Sequence, residues 1–270
     1  MSERIIKYPR TPHLEGSRLQ PGDEDLSQIS FEEIAGRHLV VEEKLDGANC
    51  AVSFTPDGQL RLQSRGHFLT GGYREKHFNL FKQWGMAQRD CLWEALGPRY
   101  IMYGEWLYAK HTIYYDALPH YFMEFDILDR ETGRCLDTAS RRALTAGLPI
   151  WSAPVLYEGS FRRKKDLIGL LGDSACITGG HWEHLRAEAE RQGLDTERIL
   201  RETDSSRLME GLYIKAEEGG AVTQRLKYVR ASFLQTVDTS QTHWLERPII
   251  PNGLTGPVEA LFSPASGADA

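Results

Sequence analysis

The chain has 270 residues, 41% hydrophobic and 26% charged, with a formal net charge of −6. Such a composition fits a globular protein with one large core and at most a small appendage, and it argues against a protein that coats nucleic acid non-specifically. No apolar run approaches the roughly 20 residues that cross a bilayer, the start MSERIIKYPR lacks the apolar core of a signal peptide, and Cys50, Cys91, Cys135 and Cys176 show no C-x-x-C spacing. A cytoplasmic protein with free thiols, no membrane contact and no zinc site is expected.

Residues 1–37 form a polar arm in which Pro9, Pro12, Gly16, Pro21 and Gly22 break any regular element. Its Arg10, His13 and Arg18 suit either phosphate contact or an ordinary surface. His38 to Glu43 reads as a strand that delivers Lys44, within the run Glu43-Lys44-Leu45-Asp46-Gly47-Ala48-Asn49. A lysine, a carboxylate two residues on and then a glycine can present an amine to the α-phosphorus of a nucleoside triphosphate. A free lysine titrates at about 10.4, so desolvation or neighbouring cations are expected to lower Lys44. Asp46 shares its face and can touch a metal or a reacting hydroxyl, and Gly47 lets the backbone pass close to a phosphate. A solvated surface turn is the plain alternative.

Ala51 to Phe54, the turn Pro56-Asp57-Gly58 and Gln59 to Gln63 predict a hairpin. At its end, in Ser64-Arg65-Gly66, Arg65 either offers a guanidinium to phosphate or ribose or is a strand-end surface residue. Arg74 to Leu96 reads as helical, with Phe78, Phe81, Leu92 and Trp93 inward and Gly85 as an interruption. Tyr100 to Leu107 and Tyr121 to Leu128 read as buried strands. Glu105, inside the first, is costly unless something pairs with it, and Phe125, inside the second, reads by itself as a core aromatic.

A helix is expected over Thr138 to Ala146, a strand over Pro154 to Tyr157, and helical runs around Lys165 to Leu171, Trp182 to Arg191 and Thr196 to Glu202. Arg162-Arg163-Lys164-Lys165 is the densest basic run, either a solvated helix face or a phosphate contact. Strands return at Leu208 to Ala216 and Val222 to Val229. Glu210 precedes a glycine, Lys215 ends its strand, and Arg225 and Lys227 share a face. Two such cations suit a triphosphate and would depress a nearby lysine, unless the face is merely exposed. A short helix is expected from Ala231 to about Val237, and the residues beyond Arg247, rich in Pro, Gly and Ala, read as a mobile tail. The domain reading is an arm over 1–37, a catalytic domain over 38–246 and a tail over 247–270.

Six segments carry a resemblance: Lys44-Leu45-Asp46-Gly47, Ser64-Arg65-Gly66, Tyr103-Gly104-Glu105, Phe122-Met123-Glu124-Phe125-Asp126, Glu210-Gly211-Leu212-Tyr213-Ile214-Lys215 and Arg225-Leu226-Lys227. In order and spacing they resemble the collinear motifs of the covalent nucleotidyltransferases, most of all ATP-dependent RNA ligases of the RNA ligase 2 type. The resemblance spans roughly 38–230, and the arm YPRTPHLEGSRL looks like bacterial members of that group. It implies an α+β domain of antiparallel sheets flanked by helices with AMP between them. Too few residues follow Lys227 for the C-terminal OB barrel of DNA ligases and capping enzymes.

The resemblance makes Lys44 the adenylylated nucleophile, with Asp46 and Lys227 as its catalytic companions and Asp46 and Glu210 on Mg2+ or Mn2+. Nucleotide contacts fall to Glu43, Lys44, Asn49, Arg65, Glu105 on ribose, Phe125 on adenine, Glu210, Lys215, Arg225 and Lys227. RNA contacts fall to Arg10, His13, Arg18 and residues 162–165. RNA ligase 2 types often have His at Asp46 and usually Lys at Arg225, so fixed charge rather than proton transfer is expected of the latter. Asn49 stands where DNA ligases and capping enzymes usually place arginine. ATP and RNA bearing 3′-hydroxyl and 5′-phosphate ends are the implied substrates, with an end-healing kinase or phosphatase as a partner. A DNA ligase or GTP-using capping transferase, or a non-catalytic RNA-end-binding module, are the alternatives.

Overall fold

Runs of β-branched and aromatic residues become strands in the computed structural model, which describes residues 4–19, 23, 26–233 and 248–263. Among them the strands are β1 (His13–Leu14), β2 (Gln28–Ile29), β3 (Leu39–Lys44), β4 (Ala48–Phe54), β5 (Leu60–Ser64), β6 (Tyr100–Trp106), β7 (Phe122–Asp129), β8 (Arg134–Cys135), β9 (Trp151–Ser152), β10 (Val155–Gly159), β11 (Gly211–Glu218) and β12 (Ala221–Val229). The helices are α1 (Asn79–Ala87), α2 (Arg89–Leu96), α3 (Thr138–Thr145), α4 (Lys164–Ile168), α5 (His181–Arg191) and α6 (Thr196–Arg201).

One sheet runs β10-β3-β11-β12-β1-β2 and the other β5-β4-β6-β7-β8, with β9 beside β7. Pairing is antiparallel except where β1 meets β12 and β2, and where β9 meets β7. The fold is therefore α+β with largely antiparallel sheets flanked by helices, and no sheet closes into a barrel among the described residues.

Alternation along β3 sets the layers. Leu39 and Val41 join Leu212, Ile214, Leu226, Phe161 and Leu167 in an apolar core on the outer face of the first sheet, while Glu42 and Lys44 point the other way, towards the second sheet. The outer face of the second sheet packs on α1 and α2 through Leu62, Phe81, Trp84 and Phe122. Each such fully buried side chain stabilises by roughly 1.5–3 kcal/mol.

Gly85 does not interrupt α1. A Cβ there would come within 2.9 Å of Leu62 Cδ1, so the glycine lets the helix lie close on β5. The break falls instead at Gln88, whose Nε2 donates to the carbonyls of Leu261 and Ser263. That contact also corrects the expectation of a mobile tail, because residues 248–263 are docked. Asn252 is buried; its N–H donates to Tyr108 O (2.9 Å), its Nδ2 to Leu107 O (2.7 Å), and its Oδ1 accepts from Tyr115 N (3.0 Å). Most of the helix expected from Ala231 to Val237 lies outside the described residues. No helix among the described residues is long and apolar enough to cross a membrane.

Candidate active site

Lys44 is the last residue of β3 and its side chain reaches the floor of a 550 Å³ cavity lined from both sheets. Its Nζ donates to Glu210 Oε2 at 2.6 Å. Sheet register explains the meeting. Gly211 lies opposite Lys44 on β11, and a Cβ at 211 would sit 2.0 Å from Tyr228 O, so only glycine lets β11 begin here and hold Glu210 against the amine. Gly47 is similarly confined, with Trp106 O 2.8 Å from where its Cβ would be. The chain thereby stays close beneath β6, which carries Glu105 into the same cavity.

Asp46 is engaged with the loop after β6. Its Oδ2 accepts from Thr112 N (2.7 Å) and Ile113 N (2.8 Å), its own N–H donates to Tyr115 Oη (2.8 Å), and Oδ1 lies 3.9 Å from His111 Nδ1. One carboxylate oxygen is thus committed to positioning backbone. Asn49 and Phe125 line the cavity from β4 and β7, and Arg65 stands exposed at its rim.

The electrostatics correct one expectation. Burial alone would depress Lys44, yet the carboxylates of Glu210, Glu105 and Asp46 outweigh it and raise the amine above its ordinary value. The free protein therefore holds an ammonium paired with Glu210. Glu105, half-buried, is pushed up to about 8, first by desolvation and also by repulsion from Glu210 and Asp46, against the attraction of Lys44. It keeps its proton at neutral pH. Lys227 is lowered, first by burial and also by repulsion from Lys44, although Asp23 accepts its hydrogen bond.

The remaining predicted residues divide by face. Lys215 is buried away from the cavity lining, 2.8 Å from Glu42 Oε2 and 3.5 Å from Asp126 Oδ1. Arg225 shares a face with Lys227, but its Nε donates to Asp126 Oδ2 at 2.9 Å and it does not line the cavity. Arg10 and His13 meet Lys227 at Asp23. Arg18 is exposed. The basic run lies at α4, beyond the outer face of the first sheet, where Arg163 pairs with Asp166 and Lys164 with Glu15, while Arg162 and Lys165 are exposed. It stands apart from the cavity.

Glu43, expected on the nucleotide, is among the residues lining the cavity, although alternation on β3 groups its side chain with Leu39 and Val41. Its carboxylate is buried beside Ser174 and Ala175, neither oxygen accepts a hydrogen bond of normal geometry, and burial pushes it up to about 7. An acid raised on folding keeps a proton that the unfolded chain has lost between about pH 4.3 and 7, so stability falls as pH rises through that window. Glu43→Gln should flatten this part of the dependence. Thermal melts of both proteins at several pH values across it are the check, and equal slopes would refute the assignment.

Reading by motif missed Tyr8, Asp23 and Tyr213, which reach the cavity or its lysine. It also missed Glu42, which lines the cavity from β3, and Glu124, Asp126 and Arg141, which join the sheets behind it. Tyr213 was accessible in principle, since alternation on β11 puts it on the face of Lys215. So was Glu42, two positions before Lys44 on β3; the others are brought in by tertiary structure.

The model of the RNA ligase family matches residues 37–229, which takes in the cavity-lining residues of β3 to β7 together with Glu210 and Lys227. The chain belongs to the RNA ligase family. Two alanine mutants of a Naegleria gruberi RNA ligase, each solved with ATP and Mn, align over 86% of this RNA ligase family chain and 58% of their own, at 19% and 18% identity and a TM-score of 0.52 for both. A third, with AMP and Mn, aligns over 86% and 57% at 18% identity and 0.51. Sharing the fold, the chain spans somewhat over half the length of those proteins. No curated protein matches it.

Proposed function

We propose that this RNA ligase family member is an ATP-dependent ligase of the RNA ligase 2 type, joining 3′-hydroxyl and 5′-phosphate RNA ends in repair. The observation that carries the reading is Lys44 at the floor of a cavity whose walls hold Glu210, Glu105 and Phe125. Lys44 Nζ would form a bond to the α-phosphorus of ATP as the bond to pyrophosphate breaks. The AMP then passes to the RNA 5′-phosphate, and the 3′-hydroxyl displaces it. For the first step the ammonium must lose its proton, so the carboxylates that stabilise its charge have to be neutralised.

Three carboxylates around one ammonium leave a surplus of negative charge, which fits a divalent cation. In the free protein the proton on Glu105 meets part of it. Bound Mg2+ or Mn2+ would be held by Glu210, with Asp46 contributing the oxygen not used on Thr112 and Ile113, and would stabilise charge on the transferring phosphoryl oxygens. Phe125 offers a face to adenine, protonated Glu105 a donor to ribose, and Lys227 a positive charge to phosphate. Asn49 and Arg65 line the rest of the path. Where a break leaves other ends, an end-healing kinase or phosphatase reaction upstream would supply the ends consumed.

The test is incubation with α-labelled ATP or GTP and a divalent cation, followed by denaturing electrophoresis. Label from ATP should remain on the protein. Label from GTP alone would indicate a capping-type transferase, and no label a non-catalytic RNA-end binder.

A further inference from the structure

The N-terminal arm enters the cavity at Tyr8, outside the segment matched to the RNA ligase family. The arm is pinned there. Ile6 O accepts from Gln63 Nε2 (3.0 Å) and from Tyr103 Oη (2.9 Å), which fixes its backbone to the second sheet. The Tyr8 hydroxyl donates to Asp126 Oδ2 and meets the hydroxyl of Tyr213 on the first sheet. Its ring is set edge-on to Tyr103 (5.0 Å between centroids) and to Phe125 (5.1 Å, 78° between planes), and the Arg225 guanidinium lies 5.5 Å from the ring centroid.

These contacts assign a use to groups that do not line the cavity. Asp126 is fully buried, and Arg225 donates to the same oxygen that accepts from Tyr8. A carboxylate so placed needs its cation and its donor. The consequence is a tyrosine whose hydroxyl is held on one side while its ring meets Phe125 nearly at right angles. Two aromatic walls at that angle form a corner for a planar heteroaromatic base, one ring stacking on its face and the other meeting its edge.

We propose that Tyr8 is a nucleotide-contacting residue which with Phe125 holds the nucleoside, and that Asp126 and Arg225 are positioning residues that set its ring. The inference rests on the reading of this cavity as an ATP site. It places the arm inside the binding site and gives Arg225 a role through Tyr8 rather than on phosphate.

Equilibrium binding of ATP and AMP to the full chain tests it. Tyr8→Ala should weaken both nucleotides by the same factor, roughly tenfold or more, as Phe125→Ala should, because the contact is to the nucleoside. Tyr8→Phe, which keeps the ring, should lose less. Arg225→Gln should weaken both nucleotides, and adding it to Tyr8→Ala should cost little more, since the two act on one contact. Tyr8→Ala that melts lower yet binds AMP like wild type would overturn the proposal, as would an Arg225→Gln loss confined to ATP. Photolabelling of the wild-type chain with 8-azido-ATP guards against a Tyr8→Ala variant that fails to fold: label on the peptide carrying Tyr8 supports the contact, and label only elsewhere overturns it. Failure of the wild type to bind any adenine nucleotide would remove the functional reading and this inference together, whereas wild-type affinity in Tyr8→Ala removes this inference alone.

Discussion

Lys44→Ala should carry no label from ATP on the protein, a loss of more than about a thousandfold, or roughly 4 kcal/mol and upward of transition-state stabilisation. The amine is the bond-forming group in the proposed first step, and among the described residues no other lysine lines the cavity except Lys227, which is engaged with Asp23. Removing the ammonium also strips Glu210 of its 2.6 Å partner, so a second variant separates the two effects. Lys44→Arg keeps a positive charge beside Glu210 but stays protonated, and should be as inactive as the alanine. Both variants should still seal RNA that already carries a 5′-adenylate, because the later step does not use the amine as nucleophile. Label transfer at wild-type level by either would end the assignment of Lys44.

Arg141→Ala should produce the largest loss of stability. Capped by Asp137, whose carboxylate accepts from Ser140 N at 2.8 Å, α3 inserts Arg141 between the sheets, where Nη2 meets Glu42 Oε1 at 2.5 Å and Nη1 meets Glu124 Oε1 at 2.7 Å. All three side chains are within about 2% of complete burial. Deleting the guanidinium would leave two carboxylates without their main cation, although Lys215 still reaches Glu42. Breaking a buried pair costs about 3–5 kcal/mol, a large share of the 5–15 kcal/mol that a folded domain typically has, and a drop in melting temperature of roughly 6–20 °C is expected. Arg141→Lys should fall between, since one ammonium cannot serve two carboxylates as a planar fork does. A melting temperature unchanged in the alanine variant would show that this cluster does not hold the sheets together.

Local pattern carried the fold a long way. The strands of HLVVEE, YIMYGEWL, YFMEFDIL and LMEGLYIKA form within a few residues of where alternation and apolar runs put them, because each is buried on at least one face. Gly85 misled because a helix glycine looks the same whether it breaks the helix or lets a neighbour approach. At the site, spacing was enough to put Arg225 and Lys227 on one face, but not to say which acid from the other sheet would claim the first of them. Asp126 does so 99 positions away in the chain. Lys44 shows the same limit from the other side. Its burial was legible in the apolar strand before it, whereas the three acids that raise it arrive from Glu105, Glu210 and its own following turn.

The docked segment around Asn252 has a consequence for the order in which a chain can mature on the ribosome. The loop that binds Asp46 through Thr112 and Ile113 takes part of its support from Asn252, which accepts from Tyr115 across 137 positions and whose carbonyl accepts from the Tyr121 hydroxyl across 131. Strand β3 and its lysine emerge well before Asn252, the brace on the neighbouring loop. Until it emerges, Lys44 and Asp46 are present but the loop around them lacks those bonds. Long-range closure of this kind makes the assembly of the centre wait on a segment translated well after the loop that it braces.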